Sequence, residues 1–192
     1  MRIVGGRWRG RPLASASGRA QRPTLERVRE ALFSHLGGRV ADAVVVDLFA
    51  GSGAFAFEAL SRDARGAVLV ERAPEALRAM RANAAGLGAG ARVRIVAGDV
   101  FAFLEGRFGP VAEVDIAFAD PPYGTAEPEL LGRIAGAPAL SWSAGALIVL
   151  ETAARDPQPA AVAGWRRRPE RTYGDARIVI AEREPEHEST SP

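Results

Sequence analysis

Apolar runs alternate with amphipathic stretches from residue 43 onward. Runs rich in β-branched residues, typical of strands buried on both faces, span 43–50, 67–71, 92–99, 114–120 and 145–151. Between and after them, apolar residues at helical spacing predict helices over 53–62, 74–86, 100–107, 127–136 and 157–163. This alternation predicts an α/β fold, with a mostly parallel sheet and helices on both of its faces.

The two ends of the chain follow other patterns. Residues 2–13 predict a β-hairpin that turns at Gly5-Gly6, and a helix follows from Thr24, its expected N-cap, to Leu36. Residues 165–183 predict two final strands joined around Gly174. We therefore divide the chain into a basic hairpin arm (1–23), a main domain (24–184) and a polar tail (185–192) that we expect to be disordered.

Composition narrows the class of protein. The 192 residues suit one domain, and 47% of them are hydrophobic, enough for a sizeable core. Because the chain has no run of 18 apolar residues and no apolar signal sequence, we expect a cytoplasmic protein without a membrane span. The sequence has no cysteine, which excludes disulfides, thiolate metal sites and a cysteine nucleophile, and no metal site is predicted.

Positive charge is concentrated at the start of the chain. Residues 1–29 carry a net charge of +7, and the remaining residues carry −5. A basic segment on a mildly acidic body favours an anionic polymer such as RNA or DNA, although a solvated tail would look the same. The candidate contacts are Arg2, Arg7, Arg9, Arg11, Arg22, Arg27 and Trp8. Trp8 could stack on a base or pack the hairpin onto the body, and the sequence leaves both open.

Acidic residues follow three of the predicted strands. The first strand runs into Asp47 and then into Gly51 and Gly53, where a ligand can approach the backbone at the start of a helix. Glu71 ends the second strand and could accept hydrogen bonds from a ribose, and Asp99 ends the third. Each acid has a simpler interpretation: Asp47 as a turn cap, Glu71 as the ion-pair partner of Arg72, and Asp99 as a helix N-cap. Together they favour a nucleoside ligand with a cationic or amino group.

The segments "DLFAGSG" (47–53), "VER" (70–72), "GD" (98–99) and "DPPY" (120–123) occur in this order and spacing. With them, the chain resembles the S-adenosylmethionine-dependent amino-methyltransferases. The segments "RIVGGRWRGRPL" (2–13), "RPTLERVREALF" (22–33) and "LFAGSGAFAFEALSR" (48–62) resemble, more narrowly, the RsmD-type enzymes, which methylate the exocyclic N2 of a guanine in 16S rRNA. Leu25-Glu26 departs from that family's pattern, but it lies outside every motif of the active site.

The resemblance covers residues 2 to about 183 and implies a Rossmann-like, seven-stranded, mostly parallel sheet with an antiparallel last strand. It also implies that the protein is a monomer acting on 16S rRNA in an assembling or assembled small ribosomal subunit. The implied S-adenosylmethionine contacts are Asp47, Phe49, Ala50, Gly51, Gly53, Glu71, Arg72, Gly98, Asp99 and Val100. The implied catalytic residues are Asp120, Pro121, Pro122 and Tyr123.

The segment "DPPY" suits methyl transfer to an amine on a nucleobase, which is a poor nucleophile because its lone pair is delocalised into the ring. The Asp120 carboxylate and the Pro121 carbonyl can accept the amine's N–H bonds and stabilise the positive charge that develops on attack. Pro122 stiffens the segment, and Tyr123 can stack on the extruded base. A simpler interpretation is that Asp120 only begins a turn at the end of the strand.

Several other functions remain to be weighed. A DNA amino-methyltransferase would share the site, a nicotinamide dehydrogenase would share the glycines, and a non-enzymatic ribosome-assembly factor would keep the basic segment. The absence of cysteine and lysine from the sequence argues against covalent pyrimidine methylation and against ribose 2′-hydroxyl transfer by a lysine base. Neither His35 nor His187 is expected to act as a base. We interpret Glu58 and Arg62 as an i,i+4 helix pair and no more.

Overall fold

The computed structural model of the chain describes residues 1–15, 23–122 and 128–185, with only the backbone described for 23–25. Arg22, Tyr123 and most of the predicted tail therefore lie outside the described residues. The helices are α1 (Pro23–Leu36), α2 (Ala54–Ser61), α3 (Pro74–Gly86), α4 (Val100–Leu104) and α5 (Leu130–Ala135). The strands are β1 (Val44–Leu48), β2 (Gly66–Glu71), β3 (Val93–Ala97), β4 (Val111–Ala119), β5 (Leu140–Ala153), β6 (Trp165–Arg167), β7 (Arg171–Tyr173) and β8 (Ala176–Arg183).

The strands form one sheet in the order β3-β2-β1-β4-β5-β8-β6, with β7 also paired to β8. The first five strands in this order are parallel, and β8 runs antiparallel to β5. β6 and β7 pair with successive parts of β8, so the eight described strands occupy seven positions. The outer strand is interrupted at Arg168–Glu170, where Pro169 has no N–H to continue the ladder. The predicted parallel sheet with an antiparallel last strand is confirmed.

Helices cover both faces of the sheet, as predicted. One core cluster joins α1, α2 and α3 to residues such as Val45, Phe118 and Val149, and the other joins α4 and α5 to Leu48, Ala119 and Leu150. Because both faces are buried, the central strands read as continuous apolar runs instead of alternating ones. The chain leaves β1 toward β2 on one side and later returns to β4 on the other, so the carboxyl ends of β1 and β4 flank a crevice.

One element prediction is wrong at its start, and one predicted helix is absent. α1 begins at Pro23, so Thr24 lies inside the helix and is not its N-cap, while the predicted end at Leu36 is confirmed. The predicted helix over 157–163 is wrong, because this segment has no helical turn in the structure. Pro157 and Pro159 lack the N–H groups that a helix interior needs, and the segment runs without regular structure, with the Ala160 N–H donating to the Pro128 carbonyl (2.8 Å).

The N-terminal segment reverses direction as predicted, but not through a two-residue turn. A bridge joins Arg2 to Pro12, and a short 3₁₀ helix (Gly6–Trp8) makes the reversal. Gly6 has a φ of +73°, and a Cβ there would approach the Ser61 carbonyl oxygen to 1.8 Å, so only glycine fits. Ile3 and Leu13 are 1% and 5% exposed and belong to the core beneath α1 and α2, so the segment packs on the body.

Among the described residues, none of the helices is both long and apolar enough to cross a membrane.

Candidate active site

The register of the parallel strands brings the acidic residues to one edge and one face of the sheet. Asp47 on β1 pairs with Leu69 on β2 and with Phe118 on β4. Glu71 and Asp120 each lie two residues beyond these partners, so they reach the next level of the edge. Since side chains alternate between faces with a period of two, all three acids lie on the face that α1, α2 and α3 cover.

A loop in the left-handed region follows β1 directly. The φ values of Phe49, Gly51 and Gly53 are +59°, +55° and +79°. A Cβ on Gly53 would lie 2.6 Å from side-chain atoms of Leu69 and Phe57, so this glycine permits close packing. A Cβ on Gly51 would meet no atom within 4 Å, so this glycine faces open space at the beginning of α2. The loop therefore leaves a cradle that a ligand can enter close to the backbone.

Glu71 is fixed by backbone donors at the end of β2. One carboxylate oxygen, Oε2, accepts from the Gly51 N–H (2.9 Å), and the other, Oε1, accepts from the N–H groups of Arg72 (2.7 Å) and Ala73 (2.8 Å). A carboxylate has about four acceptor sites, so at least one remains for a ligand hydroxyl. The carboxylate contacts the cradle through the Gly51 N–H, and the Arg72 guanidinium pairs with Asp99 instead of Glu71.

Asp99 is the N-cap of α4, as the simpler interpretation predicted. Its Oδ1 accepts from the N–H groups of Phe101 (2.9 Å) and Ala102 (3.2 Å), while Oδ2 lies 3.4 Å from Nη1 of Arg72. The side chain is 45% exposed, so it caps the helix and still presents an oxygen to solvent. A Cβ on Gly98 would fall 2.3 Å from the ring of the exposed Phe108, so a larger residue here would have to displace that ring.

Asp47 lies beneath the loop and is 1% exposed. Its Oδ2 accepts from the Ala56 N–H (3.1 Å), and it thereby joins β1 to the first turn of α2. Burial raises its pKa well above the usual value, and the charges of Asp120 and Glu71 add to this, while the Ala56 hydrogen bond opposes it. Asp47 can position the loop, but it offers almost no surface to a ligand.

Asp120 follows β4 at the mouth of the crevice. The residue is open to solvent, Pro121 after it is buried, and Pro122 is exposed. Surrounding protein raises the Asp120 pKa from 3.8 to about 6. The residue is both accessible and incompletely hydrated because it lies in a concave part of the surface with protein on several sides. Such a carboxylate is ionised at neutral pH and is available to accept hydrogen bonds.

A second carboxyl group, which the sequence analysis missed, lies beside Asp120. Glu151 on β5 is 8% exposed, and burial together with the charge of Asp120 raises its pKa from 4.5 to about 8. It shares a surface depression with Asp120, Pro121, Pro122, Thr152, Ala153 and Asp156. The rule that selected Glu71, an acid at the end of an apolar run, would also have selected Glu151 in "GALIVLE".

The predicted RNA contacts divide into paired and unpaired residues. Arg2 pairs with Glu26 (3.1 Å), Arg7 pairs with Asp63, and Arg11 donates to the Gly86 carbonyl (2.6 Å). The side chains of Arg9 and Arg27 are exposed and make no hydrogen bond or ion pair with any residue that the structure describes. Trp8 is half-buried against the core, with the Arg92 guanidinium 5.3 Å from its ring centroid, which favours the packing interpretation.

Asn83, also missed by the sequence analysis, connects the N-terminal segment to the glycine loop. Its side chain is 6% exposed, accepts from the Ala14 N–H (2.7 Å) and donates to the carbonyls of Ala14 and Ser52 (3.0 Å each). The signal in the sequence that could have identified Asn83 is its polar side chain on the otherwise apolar, buried face of α3, since a buried polar group needs hydrogen-bond partners. The basic segment therefore reaches the same edge of the sheet as the loop.

The predicted i,i+4 pair of Glu58 and Arg62 is confirmed, but the prediction that Glu58 does no more was wrong, because two other segments also contact it. It is fully buried, accepts from the Val4 N–H (2.8 Å), and lies 3.5 Å from Arg29 and 2.8 Å from Arg62. Helical spacing in the sequence identifies only neighbours within the same helix. Val4 and Arg29 belong to other segments, so their contacts with Glu58 could not be predicted in this way.

The strand order, the glycine loop after β1 and the acids at the carboxyl edge define a Rossmann-like α/β protein with a crevice at the carboxyl ends of its parallel strands. Within the described residues, no cluster of His, Asp and Glu could hold a metal ion.

The sequence model of the family described as Conserved hypothetical protein 95 matches residues 1–182, and the chain belongs to this family. It is 37% identical to Ribosomal RNA small subunit methyltransferase D of Escherichia coli, with 98% of this chain and 93% of that protein covered. The resemblance found in the sequence is thereby confirmed.

Two solved structures agree over nearly the whole fold. The structure of yhhF from Escherichia coli has a TM-score of 0.81 at 33% identity and covers 96% of this chain and 98% of its own. A hypothetical protein from Thermus thermophilus has a TM-score of 0.74 at 33% identity, with 94% and 98% covered.

Proposed function

We propose that the protein transfers a methyl group from S-adenosylmethionine to the exocyclic N2 amine of a guanine in 16S rRNA. The observation that carries the proposal is the position of Asp120, which is accessible beside the crevice and two residues beyond Phe118, the strand partner of Asp47. The name of the Escherichia coli relative supports rRNA of the small subunit as the substrate.

The residues at the edge of the sheet fit S-adenosylmethionine. Gly51 leaves the open cradle, Glu71 keeps an acceptor site for ribose hydroxyls, and Oδ2 of Asp99 can accept from an adenine amino group. Phe49, Ala50, Gly98, Arg72 and Val100 line or support this edge, and Asp47 fixes the loop from below. When bound, S-adenosylmethionine supplies an electrophilic methyl group on a sulfonium.

Asp120 and the Pro121 carbonyl are the acceptors for the target amine. By accepting both of its N–H bonds, they favour a pyramidal nitrogen whose lone pair points away from the ring. They also stabilise the positive charge that develops on this nitrogen as it bonds to the methyl carbon. The amine keeps its protons until after the attack, and the product ammonium is acidic enough to lose one afterwards. Pro122 and Tyr123 complete the segment, with Tyr123 proposed to stack on the extruded base.

The first candidates for RNA contacts are the unpaired side chains of Arg9 and Arg27, because they can bind phosphate without breaking an intramolecular ion pair. Arg2, Arg7, Arg11 and Arg22 are secondary candidates. We further propose that the protein acts in the cytoplasm as a monomer on an assembling or assembled small subunit. Sedimentation of the purified protein would measure its oligomeric state.

One experiment tests the reaction against its rivals. The protein is incubated with radiolabelled S-adenosylmethionine and either naked 16S rRNA, assembled small subunits or duplex DNA, and the digested nucleosides are identified. We expect N2-methylguanosine from rRNA or from subunits. Label in N6-methyladenosine or N4-methylcytidine, or only in DNA, would contradict the proposal. No label in any substrate would support an assembly factor that does not catalyse methyl transfer.

A further inference from the structure

Glu151 is a buried carboxyl group that the proposed mechanism does not use. It is 8% exposed, and its carboxyl group makes no hydrogen bond to any residue that the structure describes. Buried polar groups are nearly always hydrogen-bonded, because leaving one without a partner costs free energy. The Glu151 oxygens are not among the fully enclosed atoms that lack a partner, so they reach the surface depression, where a ligand can supply a hydrogen-bond partner.

The strand register places this group beside Asp120. Ala119 on β4 pairs with Leu150 on β5, so the next residues, Asp120 and Glu151, are neighbours at the same level. Their side chains share a face, because each lies two residues beyond the paired Phe118 and Val149. The raised pKa of Glu151, caused by burial and then by the charge of Asp120, agrees with this proximity.

Two carboxyl groups and the Pro121 carbonyl make this wall rich in hydrogen-bond acceptors. The edge of guanine around N2 is rich in donors, with two N–H bonds on the amine and a third on the adjacent ring N1. The amines of adenine and cytosine are instead flanked by a ring nitrogen with a lone pair. A neighbouring carboxylate would attract the N1–H of guanine and repel that lone pair.

We propose that Glu151 is a specificity-determining residue that accepts a hydrogen bond from the N1–H of the guanine whose N2 amine is held by Asp120. The inference rests on the proposed function and names the group that selects guanine at the same site. The ionised carboxylate of Glu151 can only accept and therefore discriminates, whereas the protonated carboxyl group can also donate to the lone pair of an analogue, so the preference for guanine should strengthen as the pH rises through about 8. A site that hydrogen-bonds a substrate N–H rejects an analogue lacking it, because the buried acceptor is then left without a partner.

The test compares guanine with 2-aminopurine at the methylated position once that position has been mapped. 2-Aminopurine keeps the 2-amino group but has a lone pair at N1. In assays above about pH 8, where Glu151 is ionised, we expect the wild-type protein to prefer guanine by about 10- to 100-fold in kcat/KM, as for a hydrogen bond to a charged group. Glu151→Leu should lower kcat/KM for guanine, and it should leave kcat/KM for 2-aminopurine unchanged or raise it, because the repulsion of the N1 lone pair is removed; the preference is then abolished.

Two further variants make the result interpretable. Glu151→Gln has the same shape and a neutral acceptor, so it should lower the preference several-fold, and it carries the test if Glu151→Leu fails to fold. Glu113→Gln, at the opposite edge of the sheet and with an exposed side chain, is the matched control and should behave as wild type. Thermal unfolding and calorimetric titration with S-adenosylmethionine report on folding and cofactor binding independently of activity.

A preference for guanine that survives in folded Glu151 variants would overturn the inference. Equal losses on guanine and 2-aminopurine would also overturn it, because they indicate a structural role. If the wild-type protein forms no N2-methylguanosine, the proposed function itself has failed. The identity of the wild-type product therefore separates the two failures.

Discussion

At the scale of single residues, the acids at the sheet edge differ chiefly in what surrounds them. Asp47 is buried and accepts a hydrogen bond from the first turn of α2. Glu71 accepts hydrogen bonds from three backbone N–H groups, and Asp120 is exposed to solvent. The sequence could predict their positions, because each lies at or just beyond the end of an apolar strand. It could not predict their separate environments, because these depend on residues brought from other segments. The same limit hid Glu151, whose importance comes from its neighbour across the strand pair.

Replacing Asp120 should separate chemistry from cofactor binding. Asp120→Ala removes a charged acceptor at the developing positive charge, and we expect kcat to fall by roughly 10²- to 10³-fold or more. Calorimetric titration with S-adenosylmethionine should show nearly unchanged affinity, because the cradle is made by Gly51, Glu71 and Asp99. Loss of cofactor affinity with an unimpaired single-turnover rate would contradict the role assigned to Asp120.

At the scale of elements, Glu58 holds three segments together. It joins α2 to Arg29 of α1 and to the backbone of Val4, and Arg29 also donates to the carbonyl of Arg2. Arg29 is 3% exposed, and burial lowers its pKa even though Glu58 opposes the shift. A buried guanidinium of this kind is tolerated only beside its carboxylate.

Removing Glu58 should therefore destabilise the whole fold. We expect Glu58→Ala to lower the free energy of unfolding by about 3–5 kcal/mol, because Arg29 is left buried and unpaired. Urea unfolding followed by circular dichroism measures this. Glu113→Ala breaks only an exposed pair with Arg65 and should cost less than about 1 kcal/mol. Similar losses in the two variants would show that the buried network adds nothing.

The outer strands are joined by a second acidic hub, Glu182 of β8. It accepts hydrogen bonds from Arg39, Arg166 and Arg168 at 3.0–3.1 Å. Burial alone would raise its pKa, but these hydrogen bonds outweigh that effect and lower the pKa from 4.5 to about 2. Because the folded state binds the proton less tightly, this stabilisation is present above about pH 4.5 and is lost as the pH falls toward 2.

Glu182→Gln should accordingly be less stable than wild type at pH 7 by about 1–2 kcal/mol, since exposed arginine partners screen the interaction. The difference should shrink between pH 4.5 and the lowest pH at which both proteins remain folded. Urea unfolding curves at a series of pH values provide the measurement. A stability difference that stays constant over this range would mean that the carboxylate charge is not responsible.

At the scale of the whole molecule, the alternation of apolar runs and amphipathic stretches was enough to predict the sheet, its parallel direction and helices on both faces. These features depend on which faces of each element are buried, and burial determines the spacing of apolar residues along the sequence. The failures occurred where backbone hydrogen bonding decides the outcome, as at Pro157 and Pro159, or where distant segments meet. The N-terminal segment is such a case, because Gly6 is explained only by Ser61 of α2.

The distribution of free arginines predicts how RNA binding should depend on salt. Each phosphate contact contributes roughly 0.7 to 0.9 to the slope of log K against log salt concentration. The Arg9→Ala, Arg27→Ala double variant should therefore lower the magnitude of this slope by about 1–2, with weaker binding across RNA sequences. Fluorescence anisotropy with a labelled rRNA fragment measures the slope between low and moderate salt. Arg65→Ala, which removes an exposed arginine paired with Glu113, should leave the slope unchanged. An unchanged slope in the double variant would exclude both arginines from the phosphate contacts. The paired residues Arg2, Arg7 and Arg11 would then be the remaining candidates. To bind phosphate, they would first have to break their contacts with Glu26, Asp63 and Gly86, respectively.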